Sequence, residues 1–189
     1  MHIGGREGHF LLESGHHGTL WLDLDGLFLH PADLAPSARE LAARIAPYAP
    51  EVVVGPLTGG AFLAQLVALE LGARFAYSSP GAPATSGLYT RTYAVPAPLH
   101  PFIEGRRTAL LDDVINAGSA VTATQEALTG LGAQVVVAGA LLTLGDTGRA
   151  RLAGRGVPVE SLETRRNEIH PPSTCPRCAR GVPLEAVAQ

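Results

Sequence analysis

The 189 residues suffice for one domain with a full core, and 46% hydrophobic against 16% charged residues is typical of a folded α/β protein. This composition excludes an intrinsically disordered chain, and a formal net charge of −3 argues against a surface that binds nucleic acid. No apolar run is long enough to span a membrane and the first ten residues lack a signal-peptide core, so we expect a cytoplasmic protein.

The first 50 residues are predicted to form a small N-terminal lobe of short strands and one helix. Residues 9–29 alternate around Gly and His turns, a pattern that is typical of short antiparallel strands. Apolar residues between Leu34 and Ile45 recur at helical spacing, which predicts a helix over residues 33–46. Two prolines follow and end this helix.

Strands and helices are predicted to alternate through residues 51–160. The strands are predicted at 51–55, 74–78, 107–114 and 133–144, and the helices between them at 61–72 and 119–132. Near-continuous apolar strands that are separated by helices indicate a parallel sheet covered on both faces. The predicted fold class is therefore α/β.

Two segments lie outside this alternation. Residues 79–105 form a long connection rich in Pro, Gly, Ser and Thr, with a hairpin predicted at residues 87–95. Residues 161–189 are predicted to complete one more strand and then to form a mostly irregular tail of the same single domain.

The third strand of the predicted sheet ends in two carboxylates and a turn of small residues. Asp112 and Asp113 lie at its carboxyl end, the edge where open parallel sheets bind ligands. The turn consists of Asn116, Ala117, Gly118, Ser119 and Ala120 and opens a helix, so its N–H groups and the helix dipole favour a phosphate. The carboxylates can accept hydrogen bonds from a ribose diol, stabilise positive charge on a sugar ring, or hold Mg²⁺ through its water shell. The pattern predicts a sugar-phosphate site.

This stretch, DDVINAGSA, resembles the phosphoribosyl pyrophosphate (PRPP) motif of type I phosphoribosyltransferases, in the version found in orotate phosphoribosyltransferases. GHFLLESGHH with LWLD resembles the amino-terminal hood of that branch, VVVGPLTGGAFLA resembles its pyrophosphate loop, and CPRCARGVPL resembles the tail of one bacterial group. The resemblance spans residues 8 to about 185. It implies the type I phosphoribosyltransferase fold. It also implies transfer of a phosphoribosyl group from PRPP to a nucleobase, with orotate as the leading candidate, and release of pyrophosphate.

The resemblance also implies roles for individual residues. Asp112 and Asp113 would bind the ribose hydroxyls and, through water, Mg²⁺, while residues 116–120 would hold the 5′-phosphate. Thr58, Gly59 and Gly60 would contact pyrophosphate and metal through backbone groups. Residues 78–94 correspond to the mobile loop that closes over PRPP, and family members are generally homodimers in which this loop reaches the partner's site.

The chain departs from the family at residues that would meet the pyrophosphate and the base. The family's loop usually supplies several cations, whereas residues 78–94 supply Arg91 alone, which we expect to neutralise part of the leaving group. Glu13 stands where the hood usually has a lysine or arginine, and Asp146 stands where an arginine is expected to grip orotate, with Arg149 three residues on. Trp21 falls where the family places an aromatic residue against the base.

Three functions remain open at this point. The first is transfer to orotate. Because carboxylates repel an anionic base, the second is transfer to a neutral or amino-bearing base. The third is a non-catalytic PRPP- or nucleotide-binding protein that has kept the phosphate turn.

The cysteines and histidines give a weaker signal. Cys175 and Cys178 are the two cysteines of the chain, and one CxxC pair does not complete a four-ligand zinc site, although His170 is near in sequence and a dimer could share ligands. The other histidines considered show no paired spacing that is typical of a metal site, and we expect them at the surface or in turns: His9, His16, His17 and His100. The cysteines are expected to pack or turn the tail, with a metal role left open.

Overall fold

The computed structural model describes residues 4–82 and 87–186 of the chain. In chain order, the helices and strands are β1 (Gly4–Leu11), β2 (His17–Asp23), α1 (Pro31–Ile45), β3 (Val52–Pro56), α2 (Gly59–Leu71), β4 (Arg74–Pro80), β5 (Tyr93–Ala94), β6 (Arg107–Ile115), α3 (Ser119–Gly130), β7 (Gln134–Leu144), α4 (Thr147–Ala153), β8 (Val159–Arg165), β9 (Ile169–His170), α5 (Pro176–Ala179) and β10 (Glu185–Ala186).

Six strands form the main sheet in the order β5-β4-β3-β6-β7-β8. Strands β4, β3, β6, β7 and β8 run parallel, and the two-residue strand β5 lies antiparallel at one edge. The β3–α2–β4 and β6–α3–β7 units supply the crossovers that parallel strands require. The predicted α/β fold with a parallel, helix-flanked sheet is confirmed.

The two faces of the main sheet pack against different helices. Helices α1 and α2 pack on the face that carries Val53 and Leu111, whereas α3 and α4 pack on the face that carries Val52 and Leu110. Neighbouring strand residues therefore point to opposite layers and both are buried, because each layer is covered by helices. This double cover explains the near-continuous apolar runs of β3 and β7.

Helix α1 lies in the core and not in a separate N-terminal lobe as the sequence suggested. Its buried residues from Leu34 to Ile45 pack in the same cluster as Val137 and Leu141 of β7. The helical spacing was correctly recognised, but spacing gives no information on which sheet the apolar stripe covers. The boundary at residue 50 therefore does not divide the structure.

A second, four-stranded sheet in the order β10-β1-β2-β9, which we call the hood sheet, includes strands from both ends of the chain. The tail was predicted to be mostly irregular, yet it supplies both outer strands and the short helix α5. Strands of two residues are too short to leave a detectable alternation in the sequence. Leu20 and Leu22 of β2 pack on Leu142 and Leu144, which places the hood sheet over the carboxyl ends of the main-sheet strands.

The hairpin predicted at residues 87–95 is not formed. Tyr93 and Ala94 pair instead with Pro80 and Ser79 of β4 and close the edge of the main sheet. The composition of this segment indicated a turn-rich connection correctly but gave no strand partner. Within the described part of the chain, no helix combines the length and apolar character that a membrane crossing requires.

Candidate active site

A pocket of about 620 Å³ opens between the carboxyl edge of the main sheet and the hood sheet. Its walls come from the ends of β3, β4, β6 and β7, from β2 of the hood sheet, and from the turn before α3. This is the edge at which open parallel sheets bind ligands, and the volume suits a ligand of nucleotide size.

Asp112 and Asp113 lie in this pocket, at the end of β6. The Asp112 Oδ1 accepts a hydrogen bond from the Asp113 N–H at 3.1 Å, and the Asp113 Oδ1 accepts one from the Val114 N–H at 2.8 Å. These two bonds hold both carboxylates close to the strand. The remaining carboxylate oxygens have capacity for a ligand.

The environment of both carboxylates disfavours negative charge. Burial raises the pKa of Asp112 well above its usual range, and the adjacent Asp113 carboxyl and then Glu13 raise it further. Burial also raises the pKa of Asp113, and Asp25 adds to the rise while the hydrogen bond from Val114 opposes it. Two acids in such surroundings are expected where a ligand supplies compensating donors or positive charge.

Acidic side chains dominate the pocket as a whole. Among the described residues that line it are five carboxylates and one arginine: Glu13, Asp23, Asp25, Asp112, Asp113 and Arg91. A polyphosphate placed there would be repelled unless a cation entered with it. The charge balance therefore favours a ligand that brings positive charge into the pocket.

The loop after β3 packs directly behind the two aspartates. A side chain at Gly59 would collide with the Asp113 carboxylate, and a Cβ at Gly60 would stand 2.7 Å from the Asp112 Oδ1. Thr58 lines the pocket, and the peptide bond between Leu57 and Thr58 is cis. The two glycines are not among the lining residues, and they let the start of α2 approach the carboxylates closely.

The turn of small residues also borders the pocket, and all five of its predicted phosphate-binding residues line it. Gly118 adopts a left-handed conformation with φ 77°, and α3 begins after it without a side-chain cap. The carbonyls of Asn116, Ala117 and Gly118 accept hydrogen bonds from Gly148, Tyr89 and Thr122, respectively. The first N–H groups of α3 have no partner within the helix, as expected at a helix start, which makes the turn suitable for a phosphate.

Arg91, Trp21 and Glu13 line the same pocket. Arg91 also borders a smaller neighbouring pocket, so its side chain lies where the two meet. Trp21 packs near Phe10 at a ring-centroid distance of 6.2 Å and forms part of the hood wall. The Glu13 Oε1 accepts hydrogen bonds from the Tyr93 hydroxyl at 3.3 Å and the Ser119 hydroxyl at 3.4 Å, which ties the β1–β2 turn to the phosphate turn.

Asp146 and Arg149 do not belong to the pocket wall. Asp146 is exposed at the start of α4. Arg149 faces β8, where it donates hydrogen bonds to the Val159 carbonyl at 3.0 Å and the Ser161 hydroxyl at 3.2 Å. Arg149 therefore holds α4 against the sheet and does not replace the arginine that the family uses for the base.

Several residues of the site were not recognised from the sequence. Tyr93 is buried beside Glu13 and Asp112, and burial followed by these carboxylates raises its pKa. Arg151 places its guanidinium 3.7 Å from the ring centre of Tyr89, whose hydroxyl reaches the Ala117 carbonyl. These contacts join separate segments, so no local spacing in the sequence indicates them.

The segment 78–94, predicted to be a mobile loop over the ligand, is described at residues 78–82 and 87–94. Pro80, Arg91 and Tyr93 from it line the pocket. Residues 83–86 lie outside the described part of the chain.

Three of the four histidines expected at the surface or in turns are buried: His9, His16 and His17. His9 and His17 lie beside Cys175 and Cys178, whereas His170 pairs with Glu168 at 3.9 Å and does not join this group. Burial raises the pKa of Cys175, but hydrogen bonds from the backbone of Cys178 and Arg177 and contacts with the imidazoles of His17 and His9 outweigh it and lower the pKa to about 6. The expectation failed because residues 9 and 17 meet residues 175 and 178 only through the hood sheet.

Comparisons with known proteins agree with this geometry. The family model described as "Phosphoribosyl transferase domain" matches residues 30–162. The chain is 33% identical over 185 residues to an orotate phosphoribosyltransferase of Thermotoga petrophila, covering 95% of this chain and 89% of the relative. It is 31% identical over 181 residues to that of Thermus thermophilus, covering 96% and 92%.

Solved structures show the same architecture. The orotate phosphoribosyltransferase of Aeropyrum pernix matches with a TM-score of 0.64 at 24% identity, over 85% of this chain and 87% of that one. The APRTase of Giardia lamblia, complexed with 9-deazaadenine, matches with a TM-score of 0.67 at 18% identity, over 86% and 93%. At these identities the solved structures support the fold alone. The similarity to the orotate phosphoribosyltransferase branch comes from the sequence relatives. The chain belongs to the phosphoribosyltransferase family and resembles its orotate phosphoribosyltransferase members along nearly its whole length.

Proposed function

We propose that the protein transfers the 5-phosphoribosyl group of PRPP to orotate and releases pyrophosphate. The observation that supports this most directly is the joint placement of the tandem aspartates and the phosphate turn in one pocket, in a chain that is similar to orotate phosphoribosyltransferases over 95% of its length. A protein that binds phosphate alone would need the turn but not the two costly carboxylates, whereas a non-catalytic PRPP-binding protein would use both and is separated from an enzyme by the assay below.

In this proposal three parts of the pocket bind three parts of PRPP. The backbone N–H groups at the start of α3 bind the 5′-phosphate, and Asp112 and Asp113 accept hydrogen bonds from the ribose hydroxyls. Positive charge that develops on the ribose ring as the bond to pyrophosphate breaks is stabilised by the same carboxylates. Thr58, which lines the pocket, binds the pyrophosphate, whereas Gly59 and Gly60 serve the site by letting the start of α2 approach the two aspartates.

The donor set fits a magnesium ion. Several carboxylates surround the pocket, and carboxylate and water oxygens are the ligands that Mg²⁺ prefers. Asp112 and Asp113 would hold the ion through its water shell, and the ion would neutralise the pyrophosphate oxygens. Arg91 then contributes a second positive charge to the leaving group from the pocket rim.

The choice of base follows from the hood wall. Trp21 offers a face for stacking, which suits orotate and other bases alike. Glu13, by contrast, places a carboxylate in the pocket, although its Oε1 is engaged by Tyr93 and Ser119. The similarity to orotate phosphoribosyltransferases over nearly the whole chain supports orotate, and a neutral or amino-bearing base is the alternative that the assay separates.

The test is release of pyrophosphate from PRPP and Mg²⁺ with orotate, uracil, adenine, guanine and hypoxanthine supplied one at a time. The proposal expects turnover with orotate that stops when EDTA removes the metal. Turnover with a different base alone would assign another specificity to the same pocket. PRPP binding without turnover on any base would overturn the catalytic proposal and support a binding protein.

Two further properties are proposed: a homodimer, which the resemblance implies, and a cytoplasmic location, which was expected from the sequence. Light scattering on the purified protein, coupled to size-exclusion chromatography, measures the first. A mass of one chain at assay concentration would contradict it, and fractionation of the source cells would test the second.

A further inference from the structure

Two histidines and two cysteines form a compact group beneath the hood sheet. The ligand atoms of His9, His17, Cys175 and Cys178 all lie within 4.8 Å of one another. His9 Nε2 lies 3.3 Å from the Cys175 Sγ, 3.8 Å from the Cys178 Sγ and 3.2 Å from His17 Nδ1, and His17 Nδ1 lies 3.2 Å from the Cys178 Sγ.

The four separations, 3.2–3.8 Å, are close to those between the ligands of a tetrahedral zinc ion, and every pair of ligand atoms lies within 4.8 Å. Zinc bonds of about 2.0–2.3 Å to nitrogen and sulfur place neighbouring ligand atoms about 3.3–3.8 Å apart. Two imidazoles and two thiolates are a set that zinc binds in structural sites, and the paired cysteines have the usual C-x₂-C spacing.

A hydrogen bond outside the group orients one of the imidazoles. His9 Nδ1 lies 2.9 Å from the Val182 carbonyl. Since a carbonyl only accepts, His9 Nδ1 carries the proton and Nε2 presents a lone pair to the two sulfurs. A backbone carbonyl in this role is the usual support for a metal-binding histidine.

Burial distinguishes this group from the active site. His9, His17 and Cys175 are 4%, 6% and 4% exposed, whereas Cys178 is exposed. Four protein ligands would leave no open position for a substrate, so the group suits structure and not catalysis. None of the four residues lines the PRPP pocket.

We propose that His9, His17, Cys175 and Cys178 bind one zinc ion that fastens the tail to strands β1 and β2 of the hood sheet. The hood sheet has outer strands of only two residues, and a small lobe of this kind commonly needs a structural metal or a disulfide bond for stability. The ion would hold the hood wall of the pocket, because β2 and the β1–β2 turn supply Trp21 and Glu13 to that wall.

The experiment measures the metal itself. The full chain is expressed with zinc in the medium, purified under reducing conditions without chelator, and its zinc measured by elemental mass spectrometry. One zinc per chain is expected. Replacement of zinc by Co²⁺ should give the intense visible absorption and thiolate charge-transfer bands of a tetrahedral cobalt site.

Two variants test the ligand set. Cys178→Ser removes the most exposed ligand and should lose stoichiometric zinc and the cobalt charge-transfer bands. His170→Asn changes the one histidine of residues 161–189, which pairs with Glu168 outside the group, and this variant should keep both. If Cys178→Ser does not fold, the test uses the wild-type protein alone. Removal of its zinc with a chelator should lower its melting temperature, and addition of zinc should restore that temperature.

Three results would overturn the proposal: wild-type protein without zinc and without cobalt charge-transfer bands, a disulfide between Cys175 and Cys178 in the protein as purified from cells, or equal loss of zinc in His170→Asn. Each is independent of pyrophosphate release, so the test of the zinc site is separate from the test of the activity.

Discussion

At the scale of single residues, the two neighbouring aspartates of β6 share one pocket but have different surroundings. Asp112 lies toward Glu13 and Tyr93, while Asp113 lies toward Asp25 and the glycine at the start of α2. Consecutive strand residues point to opposite faces, and at the end of β6 both directions open into the pocket. The two carboxylates can therefore contact two different parts of one ligand.

Asp113→Asn should lower kcat/KM for PRPP by at least about 10²-fold, because the amide removes negative charge opposite the developing positive charge of the ribose. Steady-state pyrophosphate release measures the effect. Asp33→Asn, an exposed change in the first turn of α1, is the matched control and should retain wild-type activity. Equal activity of the Asp113→Asn variant and the control would remove Asp113 from the site.

Arg91→Ala should lower kcat by about 10²-fold while binding of ribose 5-phosphate stays unchanged, because Arg91 is expected to meet the pyrophosphate and not the 5′-phosphate. Calorimetry with ribose 5-phosphate and kinetics with PRPP separate the two effects. Arg39→Ala, which disrupts an exposed ion pair with Glu70, provides the control. A parallel loss of ribose 5-phosphate affinity would place Arg91 at the wrong end of the ligand.

At the scale of secondary-structure elements, the core strands and helices were predictable because their signals are local. β7 is a long apolar run, β6 carries a shorter one before its two aspartates, and α3 follows a turn of small residues that marks the start of a helix. Strands β5, β9 and β10 were not predictable, since two residues cannot display a period. The same limit applies to the histidine–cysteine group, whose members are joined by strand pairing across most of the chain.

The turn before α3 depends on a glycine that no other residue can replace without strain. Gly118→Ala should destabilise the fold by roughly 1–3 kcal/mol, because φ is 77° and the new Cβ would stand 2.9 Å from the Gly148 Cα. It should also weaken ribose 5-phosphate binding. Denaturant unfolding and calorimetry measure the two effects.

Gly130→Ala at the other end of α3 is the control for this change. A Cβ there meets nothing within 4 Å, so stability should stay equal or rise. If Gly118→Ala were as stable as Gly130→Ala and bound ribose 5-phosphate equally well, the close packing of the turn against α4 would not matter for the phosphate site.

At the scale of the whole molecule, the acidic pocket lowers the stability of the ligand-free protein. When folding raises the pKa of an aspartate, the free energy of unfolding falls as the pH rises. The fall begins near the unfolded pKa of about 4 and is complete above the folded pKa. The penalty is absent in acid, where the carboxyl is protonated in both states, and is complete at pH values above the folded pKa. Asp112, whose pKa rises well above its usual range through burial first, should show this strongly.

Asp112→Asn should therefore raise the free energy of unfolding at neutral pH by about 1 kcal/mol while it lowers activity. The gain should shrink toward zero as the pH falls to about 4. Denaturant unfolding without Mg²⁺ at several pH values measures the difference between variant and wild type. A constant difference at all pH values would show that the effect does not come from the charge of Asp112.

The hood sheet pairs distant segments, as shown by Arg6 and Glu185, which lie 179 positions apart and share an ion pair. During synthesis, β1 and β2 leave the ribosome early, whereas their outer neighbours β9 and β10 leave it late. The parallel sheet between them can assemble on the nascent chain. The hood sheet is consequently expected to be completed at the end of synthesis. A chain that is clipped before residue 169 would retain every described residue that lines the pocket but would lack the two outer strands of the hood sheet.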